Sequence, residues 1–297
     1  MKEKVTKAII CAAGFGTRFL PITKSIPKEM LNIIDTPAIE FIIQEVLQAG
    51  IKDILIVVSS NKNAIIDYFD SNYQLEQHLT KKQKDKELQS ITQYNKDCNM
   101  FFIRQHYPQG LGDAISYAQS FVGDEPFAVL LGDDVIINHD HNVPSGLQQC
   151  LDVFNKYHKM VLGVQEVPDK EVNKYGIITP AKDCRNQLDM PVTSIIEKPE
   201  LKDAPSNYAV IGRYILTPNI FSEIKKLKPS SRGEIELTPA LEEIIKQDGA
   251  YACNILAKRY DIGSKLGLIK AVIDEALTRD DLKEEVSAYL HQFCKID

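Results

Sequence analysis

Four short runs of continuous apolar residues, at 7–11, 54–58, 100–104 and 127–131, set the pattern of the first half of the chain. They are rich in β-branched residues, and an unbroken apolar run of this length suits a strand buried on both faces. Segments 38–49, 64–69, 112–121 and 146–158 intervene or follow and read as helices. In the first of them Ile39, Ile42, Ile43 and Val46 recur at spacings of three and four, enough to cover one face of a sheet. Strand and helix in alternation imply an α/β doubly wound sheet, with ligands beyond the carboxyl ends of its strands.

The first run empties into AAGFGTRFLPITKSIPKEML, residues 12–31. Glycines let backbone approach an anion closely, exposed N–H groups point at its oxygens, and cations neutralise it. Ala12, Ala13, Gly14, Gly16 and Thr17 with Arg18, Lys24 and Lys28 therefore read as a polyphosphate cradle. It is not a P-loop, because Gly16 is followed by Thr17 and Arg18 instead of a Gly-Lys-Ser/Thr ending. A dinucleotide fingerprint fails too, since Phe19 stands where its third glycine belongs. Pro21 and Pro27 forbid a regular helix directly after the glycines.

A net charge of −6 over 297 residues argues against a general nucleic-acid binder, so local basic patches must serve any phosphate ligand. The charged residues 1–7 lead straight into the first strand, and no window reaches the length of a membrane span, so a cytoplasmic protein without membrane contact is expected. Cys11, Cys98, Cys150, Cys184, Cys253 and Cys294 stand singly and read as reduced packing residues. His139 and His141 lack a third ligand at suitable spacing and read as a solvated turn, with His106 as a loop residue.

Residues 72–99 are polar and carry charges of both signs, as in a solvated helical insertion. In the second half, 159–167, 176–179, 193–197, 208–216 and 251–256 read as strands with fewer helices between them, so a mixed sheet extending the first is expected. No Pro, Gly and Ser-rich linker divides the halves. The reading is one domain, 1–297, with halves at 1–145 and 146–297. Segments 266–277 and 282–293 are amphipathic helices for packing on the domain or on another subunit.

Other residues carry chemistry by type and place. Gln105, ending a strand, offers a donor and an acceptor to a pyrimidine edge, and the Gly110-Leu111-Gly112 turn lets a base lie against backbone. Asp133 and Asp134, where a buried strand surfaces, suit a hard cation together with phosphate oxygens, or an ordinary turn. Glu197 and Lys198 can meet sugar hydroxyls and a sugar phosphate, or be plain surface charge. Arg213 is a candidate for the site or for a tie between strands. Thr238 before Pro239 reads as a helix cap, and Asp261 as a helix N-cap or a ligand.

The pattern AAGxGTRxLPxTKxxPKEML, with QGLG, GDD, KYG, EKP, GRY and YDIG recurring along nearly the whole chain, resembles the sugar-phosphate nucleotidylyltransferases. Within them it is similar to the bacterial UTP–glucose-1-phosphate uridylyltransferases. The resemblance implies a Rossmann-like mixed sheet of the nucleotide-diphospho-sugar transferase type. It also implies uridylyl transfer from UTP to glucose 1-phosphate, with Mg²⁺ as cofactor and a homo-oligomer, dimer or tetramer. It further implies catalytic roles for Arg18, Lys28 and Lys198. Gln105 and Gly110 would contact the base, Asp133 and Asp261 the metal, and Gly176, Glu197, Lys198 and Arg213 the sugar phosphate. Two positions depart from the pattern: Asp113 replaces the usual His, and Pro239 the usual Asp. The rival readings are a catalytically silent nucleotide-sugar-binding regulator, an NAD-linked oxidoreductase, and a thymidylyltransferase, the last opposed by the insertion after Asn72.

Overall fold

A computed structural model describes residues 4–94, 98–140, 142–181, 184 and 187–293; His141 and Cys294 lie outside the described residues. Its centre is a nine-stranded mixed sheet. The first half of the chain supplies β1 (Lys7–Ala12), then the hairpin β2 (Asn32–Ile33) and β3 (Thr36–Pro37), β4 (Asp53–Val58), β5 (Asn99–Arg104), β6 (Phe127–Leu131) and β7 (Asp134–Ile137). The second half adds β8 (Met160–Glu166), β9 (Gly176–Pro180), β10 (Asp189–Glu197), β11 (Tyr208–Leu216), β12 (Ala250–Asn254) and β13 (Lys258–Asp261). The order is β5-β4-β1-β6-β11-β8-β12-β10-β9, so both halves share one sheet. β5, β4, β1 and β6 run parallel, and β11 enters antiparallel to β6 and to β8.

Alternation along the strands feeds two cores, one on each face of the sheet. Ala8 and Ile10 with Ile54, Ile56 and Val58 face one layer, where α1 (Ala38–Gln48) covers them with Ile39, Ile42, Ile43 and Val46. Ile9 with Leu55 and Val57 face the opposite layer. Each fully buried side chain of this size contributes roughly 1.5–3 kcal/mol before entropy is counted. β11 is buried at all nine positions because it lies near the middle of the sheet.

The expected helix 64–69 is α2 (Asn63–Phe69), and the polar insertion forms α3 (Tyr73–Lys81) and α4 (Asp85–Thr92), with Leu79 the buried residue of α3 and none in α4. This is the solvated excursion that its charges imply. The expected helix 112–121 is instead two pieces, α5 (Leu111–Ser116) and α6 (Gln119–Val122), broken at Tyr117 and Ala118. α7 (Gly146–Tyr157) is capped by Ser145, and α8 (Ile220–Ile224) was not apparent from the pattern because it is barely one turn. α9 (Thr238–Asp248), α10 (Lys265–Thr278) and α11 (Lys283–Phe293) complete the chain. No described helix is long and apolar enough to cross a membrane. Cys11, Cys150, Cys184 and Cys253 are free thiols.

Candidate active site

The loop after β1 folds as three 3₁₀ turns, Thr17–Phe19, Ile22–Lys24 and Lys28–Met30, in keeping with its prolines. Gly16 has φ +67°, a backbone region that strains L side chains, and a Cβ there would press on Lys28 and Thr23 at 3.2 Å. Thr23 Oγ1 donates to Gly16 O at 2.8 Å and closes the loop. The N–H groups of Gly14, Phe15 and Gly16 donate to no acceptor among the described residues, which leaves three neighbouring donors for an anion. Ala12 and Ala13 are buried beneath them, while Thr17 and Arg18 are exposed.

The two carboxylates assigned to a metal come together through the ribbon of β7 and β13, whose register pairs Asp134 with Asp261. Gly132 holds the turn into β7 against β1: its N–H donates to Cys11 O at 3.0 Å, and a Cβ there would lie 2.9 Å from the same oxygen. Asp133 and Asp261 converge over Gly263, where a Cβ would sit 2.7 Å from Asp133 Oδ2 and 3.0 Å from Asp261 Oδ1. Lys28 Nζ donates to Asp133 Oδ2. Burial works against the Lys28 ammonium, but Asp133, Glu29 and Asp261 outweigh it and raise its pKa. Burial likewise opposes the Asp133 carboxylate, and Lys28 and Arg18 outweigh that and hold its pKa below the usual range. Asp134, which lines the same cavity, is committed elsewhere. Its carboxylate accepts from Arg259 Nε at 2.7 Å, and burial pushes its pKa up in spite of that partner.

Arg18, Asp133, Asp261, Lys198, Lys174, Arg259 and Lys270 line a cavity of about 870 Å³. Next to it lies a cavity of about 210 Å³ lined by Gly176, Glu197, Lys198, Glu234, Glu236 and Thr238. Lys198 borders both and is 37% exposed. It holds φ +47°, a costly conformation for any residue that carries a Cβ, kept in place by its N–H donating to Tyr175 O at 2.9 Å. Glu197 is fixed by Lys198 Nζ at 3.0 Å and by Thr238 Oγ1, which donates to Oε2 at 2.5 Å.

Three expectations are corrected by these contacts. Thr238 is not a cap: it is the first residue of α9, and its hydroxyl is committed to Glu197. Asp261 is not a cap either, since Ser264 caps α10 and Asp261 Oδ1 accepts from Gly263 N. Arg213 lies outside the cavities. It is fully buried, with Nη2 donating to Glu45 Oε2 at 2.6 Å and Nη1 to Asp134 O at 2.7 Å, so it ties β11 to α1 and β7.

Gln105 is 2% exposed, and its backbone continues the β5 pairing by donating to Val58 O at 2.8 Å. Gly110 and Gly112 abut the segment before α9: Ile235 N donates to Gln109 O at 2.6 Å and Gly112 N to Ile235 O at 2.9 Å. The loop after Gln105 and the wall of the smaller cavity are thereby stitched together. Arg259 and Thr238 were missed in the sequence. Arg259 stands two residues before Asp261 on a strand, so it shares that residue's face, a signal the alternation carries. Its guanidinium lies over the Tyr175 ring, 4.9 Å from the centroid.

An open α/β sheet with a glycine loop, cations and paired carboxylates at the strand ends defines an enzyme that handles nucleotide phosphates. The chain belongs to the nucleotidyl transferase family, whose model matches residues 7–276. UTP–glucose-1-phosphate uridylyltransferase 2 of Streptococcus pyogenes serotype M3 is 44% identical over 292 residues, which cover 98% of this chain and 97% of the relative. Among solved structures, a UTP-bound UGPase from Acinetobacter baumannii superposes with TM-score 0.88 at 36% identity, covering 99% of this chain and 100% of that one. A UDP-glucose pyrophosphorylase complexed with UDP-glucose gives TM-score 0.83 at 41% identity over 93% of this chain and 100% of the other.

Proposed function

We propose that the chain transfers a uridylyl group from UTP to glucose 1-phosphate, giving UDP-glucose and pyrophosphate. The observation that carries this reading is the position of Lys198, on the border between the cavity of Glu197 and the cavity of Asp133, Asp261 and Arg18. Full-length similarity to enzymes named for this activity supports the choice of substrates.

The attacking oxygen belongs to a phosphate that is already anionic, so no side chain need remove a proton. It bonds to the α-phosphorus of UTP while the bond from that phosphorus to the β-phosphate bridging oxygen breaks, its electron pair leaving with pyrophosphate. The barrier is dominated by repulsion between anions and by alignment, and the protein's part is charge and position. Lys198 draws the sugar phosphate in from the smaller cavity, and Glu197 accepts from hexose hydroxyls beside Gly176. The loop amides of Gly14 to Gly16, with Arg18 and Lys28, hold the departing phosphates.

Asp133 and Asp261 offer two hard oxygen donors converging over a residue with no side chain, a set that fits Mg²⁺, which binds one or two carboxylates together with substrate phosphates. When bound, the ion would neutralise phosphate charge. Lys198→Ala is expected to lower kcat by roughly a hundredfold or more, with unfolding by urea unchanged, because the lost contact forms fully in the transition state. Pyrophosphate release from UTP and glucose 1-phosphate measures it, and a folded variant with near-wild-type turnover would remove the assignment.

A further inference from the structure

Asp113 has no part in the chemistry above, yet it holds the residue assigned to the base. The Gln105 side chain is almost wholly buried, so the orientation of its amide is a property of its neighbours. Its Nε2 lies 2.6 Å from Asp113 Oδ2 and 3.4 Å from Gly110 O. A carboxylate and a backbone carbonyl are acceptors only. The amide must therefore turn its NH₂ to them, because the inverted rotamer would set its oxygen against a carboxylate oxygen. Oε1 accepts no hydrogen bond from the described residues, and it is the group of this side chain left to meet a ligand.

The anchor is itself held. Asp113 sits in the first turn of α5, and the Gly110 carbonyl is placed by the turn whose neighbours Gln109 and Gly112 bond to Ile235. A Cβ on Gly110 would fall 2.7 Å from Ile235 O, so the turn has little room to shift.

We infer that Asp113 is a positioning residue for nucleobase choice: by fixing the Gln105 amide it presents an acceptor, and so selects a base whose ring nitrogen carries a proton. Uracil offers that N3–H. Cytosine has a lone pair at N3, and would place acceptor against acceptor, a mismatch that costs more than a missing bond. An acceptor-only partner such as Asp113 permits one amide orientation, whereas a side chain able both to donate and to accept permits two.

The inference rests on Gln105 contacting the base, and the experiment separates the two claims. Dissociation constants for UTP and CTP by calorimetry, and kcat and KM with each nucleotide, are measured for the wild type, Asp113→Asn and Asp113→Ala. The wild type is expected to prefer UTP. In Asp113→Asn the new amide can donate to an inverted Gln105, so the UTP-to-CTP preference should fall by roughly tenfold, through KM and the dissociation constants more than through kcat. Asp113→Ala removes the acceptor and should relax the preference in the same direction, so that it serves if the Asn variant does not fold. Loss of affinity for both nucleotides alike, or an unchanged preference in either folded variant, would overturn the role of Asp113. A wild type that binds CTP as tightly as UTP would instead overturn the assignment of Gln105.

Discussion

Behind the glycine loop, Lys62 Nζ donates to Glu29 Oε2 at 2.6 Å, with the two side chains 2% and 0% exposed. Burial raises the Glu29 pKa despite Lys62, and lowers that of Lys62 despite Glu29, so desolvation presses both groups toward neutrality. The other Glu29 oxygen, Oε1, has no hydrogen-bond partner among the described residues. A pair in that position is a weak source of stability, but half of it is worse than none. Lys62→Met should therefore destabilise the fold by roughly 3 kcal/mol, and adding Glu29→Leu should restore most of the loss. Urea unfolding of the single and double variants checks this, and a double variant as unstable as the single would refute it. The pair lies beside Lys28, which explains why one short stretch carries both an interior residue and a site residue: Glu29 turns inward from the same 3₁₀ turn in which Lys28 turns to Asp133.

At the level of elements, the turn between β5 and α5 ties the segment of Gln105 to the wall of the smaller cavity. Gly110 combines φ +109° with backbone from residue 235 at 2.7 Å, while Gly50, at φ +78°, has nothing near its missing side chain. Ala at Gly50 should show the cost of the left-handed backbone alone, about 1 kcal/mol. Ala at Gly110 should cost more than that and also weaken UTP binding, because relieving the contact moves the turn that carries Gln105 and Asp113. Thermal melts of the two variants with UTP titrations test the comparison; equal melting shifts and unchanged affinity at Gly110 would contradict it. Most elements were legible because each carries its own period, as in α1, where four isoleucine and valine positions fall on one face. The break at Tyr117 and Ala118 was not, since no Pro or Gly stands there, and α8 was not, since a helix of five residues is too short to show a period even with Pro218 before it.

Over the whole molecule, the interior of the sheet is crossed by a charged tie. Arg213 on β11 reaches Glu45 of α1 and the main chain of Asp134, and Glu45 Oε1 also accepts from Leu147 N at the start of α7. This joins residues from both halves inside one sheet, and we propose that the halves unfold together. Arg213→Met would leave Glu45 buried without its partner and should destabilise the protein by roughly 3–5 kcal/mol in one cooperative transition, with KM for glucose 1-phosphate little changed in the folded enzyme. A raised KM at unaltered stability would return Arg213 to the site. The amino-acid sequence by itself determined the parallel half of the sheet, the glycine loop and the chemical types at Lys28, Asp133, Glu197, Lys198 and Asp261, because apolar period, glycine and proline are local signals. Only the tertiary structure decided that Arg213 is interior, that Thr238 serves Glu197, and that Asp113 holds Gln105. A side chain's partner is chosen by which strands become neighbours, and pairing across β7 and β13 or between residues 110 and 235 leaves no trace in either segment alone. For the glycine loop the division is the same: its glycines and cations are local, and its place opposite paired carboxylates is a product of the fold.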